Sequence, residues 1–275
     1  MHEEANTRAV EMLKFLESAG LTPDLAGTKD PDFLRYFEAE RSIIVREAIK
    51  AAGVGTNATF EVLDFGFLHG LTQEFLHRDF PNCHITVGDR VDSPIFTSED
   101  YLREIHKRKY LTLKPCNIQD SATIKGPFRV VILGEIIEHL DPTVTFDALR
   151  ELRKLVSDDG LLIVTTPNAA GVHNCYLTLR DKQPPTLAPL EDPTCGYGHI
   201  HLWSPSVLRK TAEATGWTED SVSYYHGREA EAFARLNRSW TSLKAQLVMR
   251  SIQFLTWLSP AKKGFFVACY KAARK

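Results

Sequence analysis

Apolar residues recur at helical spacing in two early stretches: Ala9, Met12, Leu13 and Leu16 within 7–19, and Ile43, Ile44, Ala48 and Ile49 within 40–52. Side chains three and four apart share a face, so both stretches predict amphipathic helices. Gly53 and Gly55 then punctuate the chain, and the pattern changes. Short apolar runs follow at 60–65 (FEVLDF), 84–88 (HITVG), 110–113 (YLTL), 128–133 (FRVVIL) and 160–165 (GLLIVT). Helical patterns lie between them at 70–79, 97–108, 135–156 in pieces, and 204–215. Strands alternating with helices imply a parallel sheet with crossover helices. A last apolar pair, 220–226 (DSVSYYH) and 264–270 (GFFVACY), predicts a hairpin-like edge, with a basic, apolar helical insert at 227–258 between its arms. The Pro- and Gly-rich stretch 181–198 reads as a loop long enough to be a lid or binding element. The expected organisation is an N-terminal helical cap over 1–55, a core over 56–226, an insert over 227–263 and a final strand over 264–275.

Composition changes this picture little. The 275 residues are 43% hydrophobic and 25% charged, ordinary for a soluble globular chain with a sizeable core. The five cysteines, Cys83, Cys116, Cys175, Cys195 and Cys269, are dispersed without CxxC spacing. They read as reduced thiols of a cytoplasmic protein, neither a disulfide framework nor a zinc site. The first residues form no apolar signal core, and no run is long and apolar enough to span a membrane. The net charge of −2 gives no reason to expect nucleic acid as a partner. The charge is unevenly placed, however. From residue 232 onward there are nine Lys or Arg and no Asp or Glu, so the first 231 residues carry a net −11. Such asymmetry points to a partner.

The chemistry starts in EVLDFGFLHG at 61–70. In a doubly wound sheet, ligands sit outside the carboxyl ends of the strands, where glycine lets the backbone approach them. Gly66 and Gly70 suit that turn, and Asp64 at the strand end can fix the loop or meet a ligand amine. Asp89 follows Gly70 by nineteen residues, at the tip of the next strand. A carboxylate there can accept both hydroxyls of a ribose. Asp92 takes its place if the strand runs longer.

With these residues the chain resembles the class I S-adenosylmethionine-dependent methyltransferases, over roughly residues 40–225. Their first motif, hhDxGxGxG, is matched by Val62, Leu63, Asp64, Gly66 and Gly70, with Leu68 where the middle glycine would stand. Asp89 matches the acid after the second strand, and Asn117 in KPCNIQD stands where an Asp usually meets the adenine amine. GEIIEHLDP (134–142), LVSDDGLLIVTTPN (155–168) and GHIHLWSPSVLRKTAEATGW (198–217) resemble the ubiquinone-type O-methyltransferase branch. The resemblance implies a Rossmann-like doubly wound seven-stranded sheet with its last strand antiparallel, N-terminal helices and a C-terminal helical insert. It implies S-adenosyl-L-methionine as cofactor, held by Asp64, Gly66, Gly70, Asp89, Asn117 and Glu135. It also implies a small-molecule substrate, methylated on a hydroxyl of a sugar, a phenol or quinone-like ring, or a secondary metabolite.

GEIIEHL raises a second question. Glu135, Glu138 and His139 stand at i, i+3 and i+4, so on a helix they would share one face. With His199 or His201 they form a plausible ligand set for Mg²⁺ or Mn²⁺, similar to that of small-RNA 3′-terminal 2′-O-methyltransferases. The alternative is a metal-free site in which Glu135 contacts the cofactor pocket and Glu138 pairs locally. His139 or His199 then takes the acceptor's proton as general base, for which imidazole titrates in the right range. His201 competes for that role. GEIIE also occupies the position of the (D/N)PP(Y/F) motif of amino-methyltransferases acting on DNA bases, which argues against that class. The rival functions are 2′-O-methylation of an RNA end and a non-catalytic cofactor-fold binding protein.

The insert 243–263 carries Leu243, Leu247, Val248, Ile252, Leu255 and Leu258 near one face. Such a stripe reads first as core or homodimer packing. The functional alternative is contact with an anionic membrane surface through residues 235–263, aided by Arg235, Arg238, Lys244, Arg250, Lys262 and Lys263.

Overall fold

The computed structural model describes residues 2–18, 38–67, 70–93, 96, 99–179, 198–225, 247, 250–251, 254–255, 257–259, 261 and 263–273. Seven strands form one sheet: β1 (Phe60–Phe65), β2 (Cys83–Asp89), β3 (Leu111–Pro115), β4 (Phe128–Gly134), β5 (Val156–Pro167), β6 (Trp217–Tyr225) and β7 (Phe265–Ala272). Their order across the sheet is β3-β2-β1-β4-β5-β7-β6. The first five are parallel, and β7 runs antiparallel to both β5 and β6. This is the Rossmann-like methyltransferase architecture, last strand antiparallel as expected.

Burial explains why the strands were legible. β4 and β7 are buried along almost their whole length, β1 at all but Glu61, so both faces of the sheet are covered and the sequence reads as continuous apolar runs. Edge strand β6 alternates with solvent instead. Alternate side chains feed two cores. Val62, Ile85, Val130, Ile132 and Ile163 pack on one face with Met12, Ile43, Ile49 and Phe75. These come from α1 (His2–Ser18), α2 (Glu40–Ala51) and α3 (Leu71–Asp79). Leu63, Val131, Leu133, Leu162 and Val164 pack on the other face with Leu149, Leu152, Leu208 and Ala212. After α4 (Glu99–His106), these are supplied by α5 (Pro142–Leu155), Val172–Leu179 being α6, and by α7 (Pro205–Ala214). Both packing helices start on a capped Pro. Asp141 accepts the Thr143 N–H at 2.8 Å and Ser204 the Val207 N–H at 3.4 Å.

Helix α1 is docked by Arg8, which is 7% exposed and donates to both Asp79 oxygens at 2.9 Å and to Ser42 Oγ at 3.0 Å. Removing one partner of such a pair leaves the other charge desolvated. Arg8→Ala is expected to lower stability by about 2 kcal/mol in urea unfolding, given the partial exposure of Asp79. A loss below about 0.5 kcal/mol would mean that the pair is a surface contact.

Two expectations need correction. The stretch 135–156 is helical in pieces, as expected, but the first piece is only the short 3₁₀ turn Ile137–His139 before α5. Glu135 sits at φ 57°, in the left-handed region, so Glu135, Glu138 and His139 do not share a helix face. β5 begins at Val156 rather than 160, with an irregularity where Phe128 pairs with Val156 and Val130 with Leu161. Among the described residues, no helix is long and apolar enough to cross a membrane. The cysteines Cys83, Cys116, Cys175 and Cys269 are free thiols, while Cys195 lies outside the described residues.

Candidate active site

The sheet reverses its winding between β1 and β4, and the residues of interest gather at the carboxyl ends there. After Phe65 the chain turns at Gly66, φ 88°, where an added Cβ would lie 2.8 Å from Ile136 Cδ1. The left-handed φ calls for glycine, while the Ile136 methyl can move aside. The Gly66 N–H donates to Gly88 O at 2.9 Å, which ties the turn to β2. Phe67 is buried, and its N–H donates to Asp89 Oδ2 at 3.0 Å. The second oxygen, Oδ1, accepts the Arg90 N–H at 2.7 Å. Asp89 therefore ends β2 and pins the glycine turn; Asp92 pairs with Arg90 beyond the strand and is not needed in its place. Gly70, φ 73°, opens α3, and the Phe67 ring fills the space a Cβ there would need, 2.6 Å away. Leu68 and His69 lie outside the described residues.

Asp64 takes the loop-fixing role. It is 3% exposed and accepts Gln73 Nε2 at 2.8 Å, which couples the end of β1 to α3. Burial raises its carboxyl to about 7 against the pull of Arg41 and of the Gln73 hydrogen bond. Asn117 follows β3, where the Cys116 N–H donates to Asp89 O at 2.7 Å. Its amide leans towards Asp120 at 3.4 Å.

The second half of the site is built on GEIIEHL. The Glu135 N–H donates to Thr165 O at 3.0 Å, and the Tyr225 hydroxyl donates to Glu135 Oε1 at 3.2 Å. Glu138 is fully buried, and its Oε2 accepts Thr166 Oγ1 at 3.0 Å. The two carboxyl groups lie close enough to repel one another electrostatically. Burial raises both, and for Glu138 the neighbouring Glu135 raises it further. Like charges so placed disfavour one another, so a proton or a cation there is stabilising.

His199 is sixty residues away in sequence and is brought in by backbone bonds. Ile200 and His201 donate their N–H groups to Glu138 O at 2.9 and 3.2 Å, and Trp203 Nε1 donates to Ile137 O at 3.1 Å. As a result the His139 and His199 rings meet edge to face at 4.6 Å, and His199 Nε2 lies 4.0 Å from Glu138 Oε1. Ligand atoms of Glu138, His139 and His199 fall within 4.8 Å of one another. Glu138 Oε1 is buried with no hydrogen-bond partner. Three of the four expected metal ligands are thus together, and Glu135 is not in the group. His201 packs instead on Trp203 at 4.7 Å.

Arg41 had no signal in the sequence. Its buried guanidinium donates to Glu38 Oε2 at 2.8 Å and Thr72 Oγ1 at 3.0 Å. Burial opposes its charge, but Glu38, Glu135 and Asp64 outweigh that and keep it protonated. One cation therefore links the glycine turn to the Glu135 cluster. Gln73, Thr166 and Tyr225 were equally silent, since a polar side chain on an apolar face shows its partner only in the folded chain.

No family model and no curated protein matches this sequence. Solved structures do match in fold. The N-methyltransferase NodS from Bradyrhizobium japonicum WM9, in complex with S-adenosyl-L-homocysteine, is 15% identical with a TM-score of 0.55, covering 96% of this chain and 99% of its own. Geranyl diphosphate methyltransferase in complex with SAM is 14% identical with a TM-score of 0.57, covering 94% and 95%. The [4+2]-cyclase SpnF is 12% identical with a TM-score of 0.55, covering 87% of each chain. The fold is that of class I methyltransferases. As the cyclase illustrates, a fold does not by itself fix the reaction.

Proposed function

We propose that the protein is an S-adenosylmethionine-dependent methyltransferase acting on a hydroxyl of a small molecule. The observation that carries this reading is the joint between Gly66–Phe67 and Asp89, a glycine turn held by the carboxylate that would meet a ribose. S-adenosylmethionine supplies an electrophilic methyl group on a sulfonium. The chain's own work is to hold cofactor and acceptor in line, from which most of the acceleration comes. When bound, the cofactor would supply that methyl group to the acceptor oxygen. The acceptor proton passes to an imidazole. The His139 Nδ1 contact with Gly198 O, 3.3 Å, suits an Nδ1–H donor and leaves Nε2 as the basic nitrogen.

Asp89→Ala is expected to weaken S-adenosylmethionine binding by on the order of 1.5–3 kcal/mol, the scale of hydrogen bonds to a charged group. Calorimetry checks this, and unchanged affinity with an intact fold would reject the ribose assignment.

A metal-assisted version is favoured by Glu138 Oε1, which has no hydrogen bond and lies 4.0 Å from His199 Nε2, with His139 in the same group. Carboxylate and imidazole donors fit Mn²⁺, with Mg²⁺ less suited to nitrogen ligands. Glu138, His139 and His199 would hold it, and a bound ion would supply Lewis acidity to the acceptor hydroxyl. Titration with MnCl₂ is expected to show one site that Glu138→Gln abolishes. Cofactor affinity should stay within about threefold, because this carboxylate lies outside the glycine turn, and activity should fall about a hundredfold. Full activity after exhaustive chelation would return His139 to the role of a metal-free base.

A further inference from the structure

The charge asymmetry of the last 44 residues is not used by methyl transfer. In the insert, residues 247, 250, 251, 254, 255, 257 and 258 are helical and all exposed. At 3.6 residues per turn they occupy a single arc of roughly 160°. Five of the seven are large and apolar: Leu247 is 56% exposed, Phe254 56%, Leu255 47%, Trp257 74% and Leu258 57%. The core-packing reading of the stripe therefore fails for Leu247, Leu255 and Leu258, while Leu243, Val248 and Ile252 lie outside the described residues. Phe254 and Trp257 stack on one another at 5.9 Å, which makes the face continuous. Single exposed apolar residues are commonplace, but a contiguous patch marks an interaction surface.

The face is held at the site end of the sheet. The segment leaves β6 at Tyr225, whose hydroxyl meets Glu135, and returns beside Asn168, just past β5. Asn168 donates its side-chain amide to the carbonyls of Ala261 and Lys263, at 3.0 and 2.8 Å, and its N–H to Gly264 O at 2.7 Å.

Charge decides between occupants. An isologous contact with a second copy would set one net-positive segment against another. An anionic lipid surface is complementary to both features, since apolar side chains enter the acyl boundary while cations meet headgroups. Arg250 stands on the apolar arc itself, between Trp257 and Phe254. Lys263 and Lys271 are turned to the protein, towards Tyr224 O and Asp220, and are not among the docking cations. Arg235, Arg238, Lys244 and Lys262 lie outside the described residues.

We propose that the helical face bearing Leu247, Arg250, Phe254, Leu255, Trp257 and Leu258 docks on an anionic membrane surface, lying in the headgroup plane. The attachment is reversible and brings the carboxyl edge of the sheet towards the bilayer. It does not depend on what reaction the site performs.

The test is co-sedimentation of the full chain with vesicles of phosphatidylcholine mixed with phosphatidylglycerol, and with phosphatidylcholine alone. The protein should pellet with the mixed vesicles at low salt and be released at high salt, where screening shortens below about 10 Å. Arg250→Glu should reduce partitioning roughly tenfold. Phe254→Ser/Trp257→Ser/Leu258→Ser should abolish it, with the thermal midpoint unchanged because these side chains touch solvent. No sedimentation at low salt overturns the proposal. So does sedimentation that the triple variant retains, or a dimer that the triple variant dissociates, which would assign the face to a second copy.

Discussion

Arg41→Met is expected to destabilise the protein by about 3–5 kcal/mol, the cost of breaking a buried ion pair from one side. The guanidinium faces Glu38 directly and stands within electrostatic reach of Glu135 and Asp64, all of them buried or nearly so. Methionine keeps the length of the side chain but leaves Glu38 without its partner at 2.8 Å and removes the cation that offsets the other two acids. Part of the cost is relieved by protonating those carboxyls, so the loss should shrink as the pH falls. Urea unfolding at neutral pH measures it. A loss below about 1 kcal/mol would show that solvent reaches this cluster and that Arg41 is no keystone.

Gly66→Val is expected to weaken S-adenosylmethionine binding about a thousandfold or more, with a smaller loss of stability. A β-branched residue at φ 88° is strained by on the order of 1–3 kcal/mol, and its Cβ would press on Ile136 at 2.8 Å. Strain at this residue shifts the turn whose Phe67 N–H meets Asp89. Calorimetric titration of the folded variant checks this. Affinity within tenfold of wild type would mean that the cofactor does not lie over this turn.

The sheet was legible because parallel strands covered on both faces must be apolar throughout, as FEVLDF and FRVVIL are. The glycine turn and Asp89 were legible because backbone geometry demands particular residue types at particular spacing. GEIIEHL was misread for a physical reason. Its i, i+3, i+4 spacing suits a helix, but Glu135 adopts a left-handed conformation, and the helix proper waits for the Asp141–Pro142 cap. The pairing of His139 with His199 depends on backbone bonds from Glu138 O and Ile137 O, which no side-chain pattern encodes. Arg41, Gln73 and Tyr225 sit among apolar neighbours, and their partners are set by tertiary packing alone. In the insert, the apolar stripe was visible in the sequence, but the side it turns to solvent was not.

S-adenosylmethionine is expected to bind over the Gly66 turn that Asp89 holds. Isothermal titration of the wild-type chain tests it most directly. Saturable one-to-one binding of S-adenosylmethionine, competition by S-adenosylhomocysteine and no binding of NAD are expected. Absence of any heat or competition from a folded, monodisperse sample, or a preference for NAD, would contradict it.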